Sequence, residues 1–297
     1  MPVSVLGGVE AGGSKWVCAV GSGPGDVRDT RVVPTTTPDE TIGRVAEFFG
    51  AHADLEAIGI GSFGPVDVDP ASPTWGFITS TPKPGWAYVD VAPRLGALLG
   101  VPVAFDTDVN AAAIGERRWG AAAGLDTFCY ITVGTGIGGG GFVNGGLMHG
   151  LLHPELGHMR VPHDRAHDPF QGVCPYHGDC LEGLASGEAL LARTGVVASE
   201  LDDDDPVWEL EAHYLALGLM NVICTISPRR VVLGGGVLRR AGLRARVQDA
   251  VRELLGGYLA APELDGAIAG YVVAPALGDR AGVLGALELA RSAAPAS

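Results

Sequence analysis

Two aspartates, Asp106 and Asp108, stand between an apolar segment and an alanine-rich one, a position where a carboxylate can accept a proton. Residues 101–105 predict a strand, and the residues after Asp108 predict a helix, with no glycine or proline before Gly115. A carboxylate at such a junction lies at the carboxyl edge of a sheet, where α/β folds gather ligands, and helix-start amides keep it ionised. The same residues could instead only cap the helix, so general-base catalysis and capping both remain open here.

Cysteine and histidine side chains with the spacing of metal ligands form a second group. Cys174, His177 and Cys180 follow one another with two residues between each pair, and His158 precedes them in the chain. Mixed thiolate and imidazole ligands bind Zn²⁺ tetrahedrally, and four protein ligands leave no open position, as in a structural site. The competing ligands of lower rank are His153, His163 and His167. The alternative is that all these side chains are unrelated loop residues.

Glycine-rich turns between apolar segments occur in both halves of the chain, which suggests a duplication of two similar lobes. The first turn, 7–15, precedes the apolar segment 16–20, and the second, 134–141, follows the apolar segment 128–133. Each pattern predicts a hairpin whose glycines let the backbone approach a ligand closely. The first turn lacks the GxxxxGK[ST] spacing of a P-loop. The second contains GxGxxG but precedes a strand instead of a helix, so a Rossmann turn is excluded as well.

Hydrophobic patterning and chain-breaking residues predict the elements that position these side chains. The predicted strands are 3–6, 16–20, 27–33, 57–61, 101–105, 128–133, 141–146 and 231–237. The predicted helices are 38–50 starting near Thr37, the Ala-rich helix after Asp108, 208–225, 243–259 and 281–290. The polar, proline-rich residues 74–86 predict a loop that either faces substrate or is an ordinary surface loop. Asp108 and both glycine turns thus lie at the ends of predicted strands.

The composition limits the possible partners. With 297 residues, of which 47% are hydrophobic, the chain can form two ordinary domains or one large one. A net charge of −14 argues against nucleic acid and anionic membranes as partners, and it leaves anionic ligands to backbone amides and a metal. No apolar run reaches the ~18 residues of a membrane span, and we see no signal peptide. We therefore expect a cytoplasmic protein whose five cysteines form no disulfide framework.

Motifs along nearly the whole chain resemble those of a known family. They are, in order, GGVEAGGSKWVCAVG, GSFGPVDVDP, TSTPKPGW, DTDVNAAAIGE, HPELGHMRVPHD and GVCPYHGDCLEGLASG. Their number and order resemble the actin-like ATPase and sugar-kinase superfamily, and within it the ROK family (repressors, open reading frames and sugar kinases), most of all its fructokinases. The resemblance implies an α/β protein with the two-lobed actin-like ATPase/ribonuclease H-like fold, a central cleft and a homodimeric assembly.

The same resemblance implies how the chain divides and what it catalyses. Residues 1–108 would form a small N-terminal α/β lobe, on which a C-terminal helix at about 281–297 packs. Residues 109–280 would form a larger α/β lobe with a zinc loop at 153–182. The implied activity is ATP-dependent phosphorylation of a hexose hydroxyl, and conversion of D-fructose to fructose 6-phosphate is the best match.

Individual residues receive roles from the resemblance. Asp108 is assigned as the general base. The residues assigned to the sugar are Gly64, Pro65, Asn110, Glu155, His158 and Glu182. Those assigned to ATP are Gly12, Gly13, Ser14, Lys15, Gly134, Thr135, Gly136, Gly234, Gly235 and Gly236. Structural Zn²⁺ is assigned to His158, Cys174, His177 and Cys180, so His158 serves both the metal and the sugar. Mg²⁺ accompanies ATP, but Glu10 stands where many superfamily members have Asp, which leaves its contact with magnesium open.

Other functions compete with a fructokinase. A ROK glucokinase and a mannose or N-acetylmannosamine kinase share the chemistry, and only the TSTPKPGW loop and His177 favour fructose. A sugar-responsive repressor needs a helix-turn-helix before the first hairpin, yet that hairpin starts by Gly7 and the chain is acidic. A non-catalytic sugar-sensing protein would have a degraded Asp108 position or degraded glycine hairpins, and both are intact.

Overall fold

The computed structural model describes residues 5–295, which group into two compact units. The first unit contains the described residues up to Gly124, the segment Met148–His153 and the residues from Ala276 onward. The second unit contains Leu125–Leu147 and Pro154–Pro275. The first two residues of the predicted strand 3–6 and the last two of the predicted C-terminal helix lie outside the described part.

The first unit is built on a five-stranded sheet. Its strands are β1 (Val5–Ala11), β2 (Lys15–Gly23), β3 (Asp26–Pro34), β4 (Leu55–Ser62) and β5 (Val103–Thr107). They are ordered β3-β2-β1-β4-β5, with β1, β2 and β3 antiparallel in succession and β4 and β5 parallel to β1. Because β1 and β5 are parallel to β4, the glycine turn after β1 and the aspartates at the end of β5 lie at the same edge of this sheet.

Four helices accompany this sheet: α1 (Pro38–Gly50), α2 (Val91–Leu99), α3 (Asp108–Trp119) and, at the end of the chain, α9 (Ala281–Arg291). The structure confirms the predicted bounds of α1, whose N-cap is Thr37, with Pro38 as the first helical residue. Helix α2 was not predicted.

Small residues let α9 lie directly on the sheet and on α3. A Cβ at Gly59 on β4 would collide with the carbonyl oxygen of Ala286, and one at Gly285 with that of Ala111. Such close backbone packing places α3 in the first unit together with α9. The compact unit therefore extends past the predicted boundary at residue 108.

The second unit has a sheet of β6 (Phe128–Val133), β7 (Ile137–Val143), β8 (Gly146–Leu147), β9 (Val231–Gly234) and β10 (Val272–Val273). The order is β10-β9-β6-β7-β8, with β7 antiparallel to both β6 and β8, and β9 parallel to both β6 and β10. Its helices are α4 (Leu181–Ala185), α5 (Gly187–Thr194), α6 (Val207–Ile226), α7 (Leu243–Leu255) and α8 (Ile268–Tyr271). Short 3₁₀ helices include Leu156–His158 and Val237–Arg239.

Three predicted elements of the second unit differ from the observed ones, each because of glycine. Strand β7 starts at Ile137 instead of residue 141, since Gly139 and its neighbours pair with β6 as strand residues. Strand β9 ends at Gly234, because Gly235 adopts φ +97° and a 3₁₀ helix follows. Helix α7 ends at Leu255, since Gly256 takes a left-handed conformation. None of the helices formed by residues 5–295 combines the length and hydrophobicity that a membrane span requires.

Candidate active site and metal centre

Asp108 is the first residue of α3, directly after β5. The helix is capped by Thr107, whose Oγ1 accepts a hydrogen bond of 3.1 Å from the backbone amide of Asn110. Oδ1 of the half-buried Asp108 accepts a hydrogen bond of 2.9 Å from the amide of Val109. The capping alternative therefore falls to the neighbouring threonine, and Asp108 is a carboxylate in the positive first turn of a helix.

Asp106 is buried, unlike Asp108, and is hydrogen-bonded to neighbouring protein groups. Its carboxylate is 2% exposed and accepts hydrogen bonds of 2.7 Å from both the Thr107 amide and Nδ2 of Asn110. Nε2 of His149 lies 3.0 Å from its other oxygen. The predicted sugar residue Asn110 is fully buried, and its amide nitrogen donates to Asp106. Asp106 thus fixes two side chains beside Asp108.

Glu10, on β1, is the carboxylate whose role the sequence left open. Burial, followed by the charge of Asp108, raises the pKa of Glu10 to about 7, while Lys15 and a hydrogen bond with the Val283 backbone oppose the rise. Its Oε2 is buried and has no hydrogen-bond partner among residues 5–295. A buried carboxylate oxygen without a partner, next to a second carboxylate, is a position where a hard cation would be stabilised, so the donor set fits Mg²⁺.

The first glycine turn connects β1 and β2 and is open to solvent. The Gly12 amide donates to the Lys15 carbonyl over 3.0 Å, and Oγ1 of Thr35 donates to the Gly12 carbonyl over 2.8 Å. Gly13, Ser14 and Lys15 are exposed, and a Cβ at Gly13 would meet nothing within 4 Å. The residues of the first unit that are predicted to bind ATP thus lie in one tight, accessible hairpin.

Gly64 and Pro65 follow β4 and are joined by a cis peptide bond. The next residue, Val66, is fully buried, and its amide donates a hydrogen bond of 3.0 Å to Nε2 of His153. Thus the ring of His153 has a fixed partner in the first unit, separate from the cysteines with which the sequence could have grouped it.

The second glycine turn lies between β6 and β7 and is supported by neighbouring helices. The Gly134 carbonyl accepts from the Gly187 amide over 2.7 Å, and the Thr135 carbonyl accepts from the Glu188 amide over 3.3 Å. Oε2 of Glu182 accepts from the Ile137 amide over 2.9 Å and would contact a Cβ at Gly136 at 2.5 Å. This hairpin is therefore braced by the starts of α4 and α5.

A cavity of about 730 Å³ lies within the second unit beside this turn. Its wall residues are Gly134, Thr135, Gly187, Glu188, Leu191, Val197, Ala198, Ser199, Asp203, Gly236, Val237, Arg239, Arg240 and Ala241. The volume falls in the range of small-ligand sites, and the wall combines apolar side chains with a few charged ones, as such sites do. The cavity can accommodate a nucleoside.

Of the three glycines at 234–236 that are predicted to bind ATP, Gly236 lines this cavity, whereas Gly234 and Gly235 are absent from its lining. A Cβ at Gly234 would lie 2.5 Å from Cγ of Pro275, and Gly235 adopts φ +97° directly beside the Val133 backbone. These two glycines therefore serve close packing and a turn, and they position Gly236 without lining the cavity themselves.

The sequence did not reveal that Arg240 and residues 197–199 and 203 line the cavity. Arg240 donates to the Ala198 carbonyl over 3.1 Å and to the Leu201 carbonyl, and it pairs with Asp203. Its guanidinium also lies 4.8 Å from the Trp208 ring centroid. The adjacent arginines after the third glycine run were a visible signal, but the loop that Arg240 holds is more than thirty residues upstream in the chain.

The four predicted metal ligands meet in the second unit. Ligand atoms of His158, Cys174, His177 and Cys180 all lie within 4.8 Å of one another. Nδ1 of His158 is 3.6 Å from Sγ of Cys174 and 3.5 Å from Sγ of Cys180, and Nδ1 of His177 is 3.6 Å from Sγ of Cys174. This cluster can hold a metal ion.

The competing histidines have other partners. His163 lies 2.9 Å from the Asp168 carbonyl oxygen and 3.2 Å from the Asp179 carboxylate, and exposed His167 pairs with Asp164 at 2.7 Å. His153 belongs to the first unit, as described above. The sequence spacing thus selected the residues that the fold brings together.

Two predicted sugar residues face the far side of the His158 ring. Nε2 of His158 lies 4.0 Å from Oε2 of Glu155 and 3.9 Å from Oε1 of Glu182. Burial, followed by the charge of Glu182, raises the pKa of Glu155 to about 7. One imidazole therefore has Nδ1 toward the thiols and Nε2 toward two carboxylates, which can accept hydrogen bonds from hydroxyls.

Comparisons with known proteins agree with this geometry. The chain is 43% identical over 299 residues to a fructokinase of Zymomonas mobilis, with 97% of each chain covered. It is 42% identical over 289 residues to a fructokinase of Pediococcus pentosaceus, covering 97% of this chain and 98% of the relative. A ROK family glucokinase from Streptomyces griseus, solved with glucose and AMPPNP, superposes with a TM-score of 0.75 at 29% identity, covering 97% of this chain and 99% of that one.

The similarity to that glucokinase also supports the predicted fold class. Two sheets of the same kind, each a three-stranded antiparallel meander extended by parallel strands, are the framework of the actin-like ATPase fold. The model of the ROK family matches residues 6–293. Because this match extends over nearly the whole chain, the protein belongs to the ROK family.

Proposed function

We propose that this protein is an ATP-dependent sugar kinase that phosphorylates D-fructose to fructose 6-phosphate. The observation that carries the proposal is the identity of 42–43% to two fructokinases over 97% of the chain, against 29% to the ROK glucokinase of known structure. The geometry supports the reaction class, since each unit contains a glycine hairpin and the first contains an accessible carboxylate at the start of α3.

Phosphoryl transfer needs positioning and neutralisation of charge more than covalent catalysis. In the proposed mechanism Asp108 accepts the proton of the attacking sugar hydroxyl. Because that proton leaves late, a carboxylate of ordinary basicity is sufficient. The amides at the turn Gly12–Ser14 and at Gly134–Gly136 would bind phosphate oxygens, and the second-unit cavity beside Gly236 would accept the adenosine.

Mg²⁺ would be held beside Glu10 and Asp108, where the unpartnered Oε2 provides an oxygen ligand. When bound with ATP, the ion neutralises charge on the phosphate oxygens. The longer side chain of glutamate still supplies the carboxylate that the superfamily takes from aspartate at this position. In our proposal Glu10 therefore holds the cation, directly or through a water, and Asp108 remains available to the hydroxyl.

The metal of the cysteine–histidine cluster would be structural Zn²⁺. Ligands of a tetrahedral zinc at its usual bond lengths lie about 3.6 Å apart, and the three sulfur–nitrogen separations given above are 3.5–3.6 Å. With Nδ1 of His158 on the metal, its Nε2 is oriented toward Glu155 and Glu182. We propose that these three side chains bind sugar hydroxyls and that the metal fixes their geometry.

The main alternative is a ROK glucokinase or a mannose or N-acetylmannosamine kinase, which would use the same residues in the same roles. A non-catalytic sugar-sensing protein is disfavoured because Asp108 and both hairpins are intact. The resemblance further implies a homodimer, which sedimentation analysis of the purified protein can test.

A panel of hexoses assayed with Mg-ATP and a coupled readout of ADP tests the proposed function. We expect the highest kcat/KM with fructose, and loss of activity when Mg²⁺ is chelated. A higher kcat/KM with glucose, mannose or N-acetylmannosamine would identify that sugar, and not fructose, as the preferred substrate. Absence of ADP formation with every hexose would contradict the kinase assignment.

A further inference from the structure

The segment Met148–His153, which we call the histidine strap, belongs to the first unit although the residues on both sides of it belong to the second. Two histidines attach it. Nε2 of His149 lies 3.0 Å from the Asp106 carboxylate, and Nε2 of His153 accepts a hydrogen bond of 3.0 Å from the Val66 amide. Both attachments are therefore polar contacts with residues far away in the sequence.

The attachment at His153 is directional and buried. The Val66 amide can only donate, so Nε2 of His153 must be the acceptor and the ring must be neutral, with its proton on Nδ1. Val66 is fully buried and His153 is 8% exposed, so water cannot easily replace this hydrogen bond. The ring also lies over the Gly64 backbone, where a Cβ would stand 3.4 Å from Cε1 of His153.

The attachment at His149 is ionic. Asp106 is nearly fully buried, and its hydrogen bond raises the pKa of His149, against the effect of burial, so the cationic ring is favoured. Nδ2 of Asn110 donates to the same carboxylate over 2.7 Å, so Asp106 links the two side chains. His149 therefore completes a group of three side chains that determines where Asn110 is held.

Between the two attachments the strap makes little use of packing. Leu151 is 99% exposed and Leu152 is 56% exposed, and the local hydrogen bond of the segment joins the Gly150 amide to the Leu152 carbonyl over 2.8 Å. Apolar side chains that remain in water contribute nothing to holding a loop in place. The contacts of His149 and His153 therefore join the strap to the rest of the first unit where its leucines do not.

Each attachment adjoins a residue assigned to the sugar: His153 contacts the Gly64-Pro65-Val66 turn, and His149 pairs with Asp106, which holds the Asn110 side chain. We propose that His149 and His153 are positioning residues that hold this turn and the Asn110 side chain in the conformation that binds the sugar. The inference rests on the proposed function, because the sugar roles of Gly64, Pro65 and Asn110 are part of it. Neither histidine exchanges a proton with substrate.

Glutamine and asparagine replacements test the two contacts, because both side chains end in the same amide group but differ in length. A glutamine amide can place its terminal atoms near the position of Nε2, whereas the asparagine amide ends near Nδ1 and cannot make the same contact. We would compare His153→Gln with His153→Asn, and His149→Gln with His149→Asn. His213→Ala serves as the control, since His213 is an exposed residue of α6 in the second unit.

The measurements are fructose Kd by calorimetry without nucleotide, and kcat and KM for fructose and for ATP. We expect each asparagine variant to raise fructose Kd and KM by about tenfold, with ATP KM and kcat changed less than about twofold, and each glutamine variant to recover most of the affinity. Equal fructose Kd in wild type and both asparagine variants would overturn the inference. So would a loss that appears equally in kcat and in both KM values.

The wild-type protein separates this inference from the proposed function. If the wild type phosphorylates no hexose, the proposed function fails and the inference fails with it. If the wild type is an active kinase and the asparagine variants match it, only the positioning role fails. One further outcome would overturn the proposal: an asparagine variant does not fold, while the corresponding glutamine variant folds with the wild-type fructose Kd. The contact would then be needed for folding and not for positioning the sugar residues.

Discussion

The two sheets have the same topology but different surroundings. Ordered from the meander to the parallel strands, the first is β3-β2-β1-β4-β5 and the second is β8-β7-β6-β9-β10, with the same strand directions at each position. The glycine turn joins the corresponding two strands in both, β1 to β2 and β6 to β7. One strand framework therefore supplies a glycine hairpin twice.

What packs on each hairpin differs. The first is exposed at Gly13 and held mainly by its own backbone and by Thr35, whereas the second is braced by Glu182 and by the amide groups of Gly187 and Glu188. A shared topology thus fixes where the turn lies, and the helices added to it decide how rigid the turn is. We infer that the second hairpin is preorganised and that the first can adapt to its ligand.

The parallel strands differ as well. In the first unit β5 leads directly into α3 and places Asp106 and Asp108 at its end. In the second unit β10 has two residues, and β9 ends in the glycine turn that leads to Gly236 at the cavity wall. The first sheet therefore presents carboxylates and the second presents a cavity, which matches the proposed division between the hydroxyl chemistry and the nucleotide.

The largest expected effect is on the carboxylate that only the first sheet has. Asp108→Asn should lower kcat by about 10³-fold while fructose Kd stays within a few-fold of wild type, because the amide cannot accept the hydroxyl proton. Calorimetry and the coupled ADP assay measure the two quantities, with Asp54→Asn at an exposed position as the control. Near-normal turnover in the variant would remove Asp108 from the role of base.

The second-largest effect is expected in the second unit, on removal of the proposed metal. Cys174→Ser, or chelation of the wild type, should lower Tm and raise fructose KM by about tenfold or more, because His158 loses the partner that orients it. Metal content, Tm and KM are measured together, with the exposed Cys224→Ser as the control. An unchanged fructose KM in folded, metal-free protein would disprove the link between metal and sugar.

The two hairpins can be compared directly by alanine substitution. At Gly136 the new Cβ would lie 2.5 Å from Oε2 of Glu182, so Gly136→Ala should cost about 1–2 kcal/mol of stability by disturbing the hydrogen bond to Ile137. At Gly13 there is open space, so Gly13→Ala should change stability by less than about 0.5 kcal/mol. Denaturant unfolding of both variants measures this difference. Equal losses would contradict the inferred difference in rigidity.

The smallest effect concerns two fully buried glutamates, one in each unit. Glu116 accepts hydrogen bonds from the amides of Ala121, Ala276 and Leu277, whereas Oε1 of Glu211 has no hydrogen-bond partner within the described chain. Burial raises the pKa of Glu211 well above its usual value, with Arg193 opposing it. We therefore expect the two glutamates to respond oppositely to conversion into glutamine.

A carboxyl whose pKa is raised by folding binds its proton more tightly in the folded state, so its contribution to stability is lost as pH rises above about 4.5. The free energy of unfolding of Glu211→Gln should therefore rise relative to wild type as the pH increases. We expect a difference of roughly 1 kcal/mol at pH 8 and little difference at pH 4. Glu116→Gln should instead be destabilised at pH 8, because its amide cannot accept all three hydrogen bonds. Tm measured from pH 4 to 8 checks both; a pH-independent difference for Glu211→Gln would contradict the pKa shift.

Much of the fold was accessible to local sequence rules. Thr37 with Pro38 marked the start of α1, and a continuous run of mostly apolar residues marked β6, because caps and apolar runs are local properties of the sequence. The spacing of Cys174, His177 and Cys180 likewise predicted side chains that meet in one cluster, since a short loop can bring residues three apart close together. Glycine positions were harder, because a glycine can extend a strand, as Gly139 does, or turn the chain, as Gly235 does.

The sequence by itself determined most of the strands, the longer helices, the two glycine hairpins, the acid at the end of β5 and the four side chains of the candidate metal site. Only the tertiary structure decided that Thr107 caps α3, that Gly236 alone among three glycines lines the cavity, and that His149 and His153 attach their segment to Asp106 and Val66. The reason is physical: periodicity and caps depend on neighbours within a few residues. Cavity walls and buried hydrogen bonds depend on which distant segments the packing brings within about 3 Å of each other.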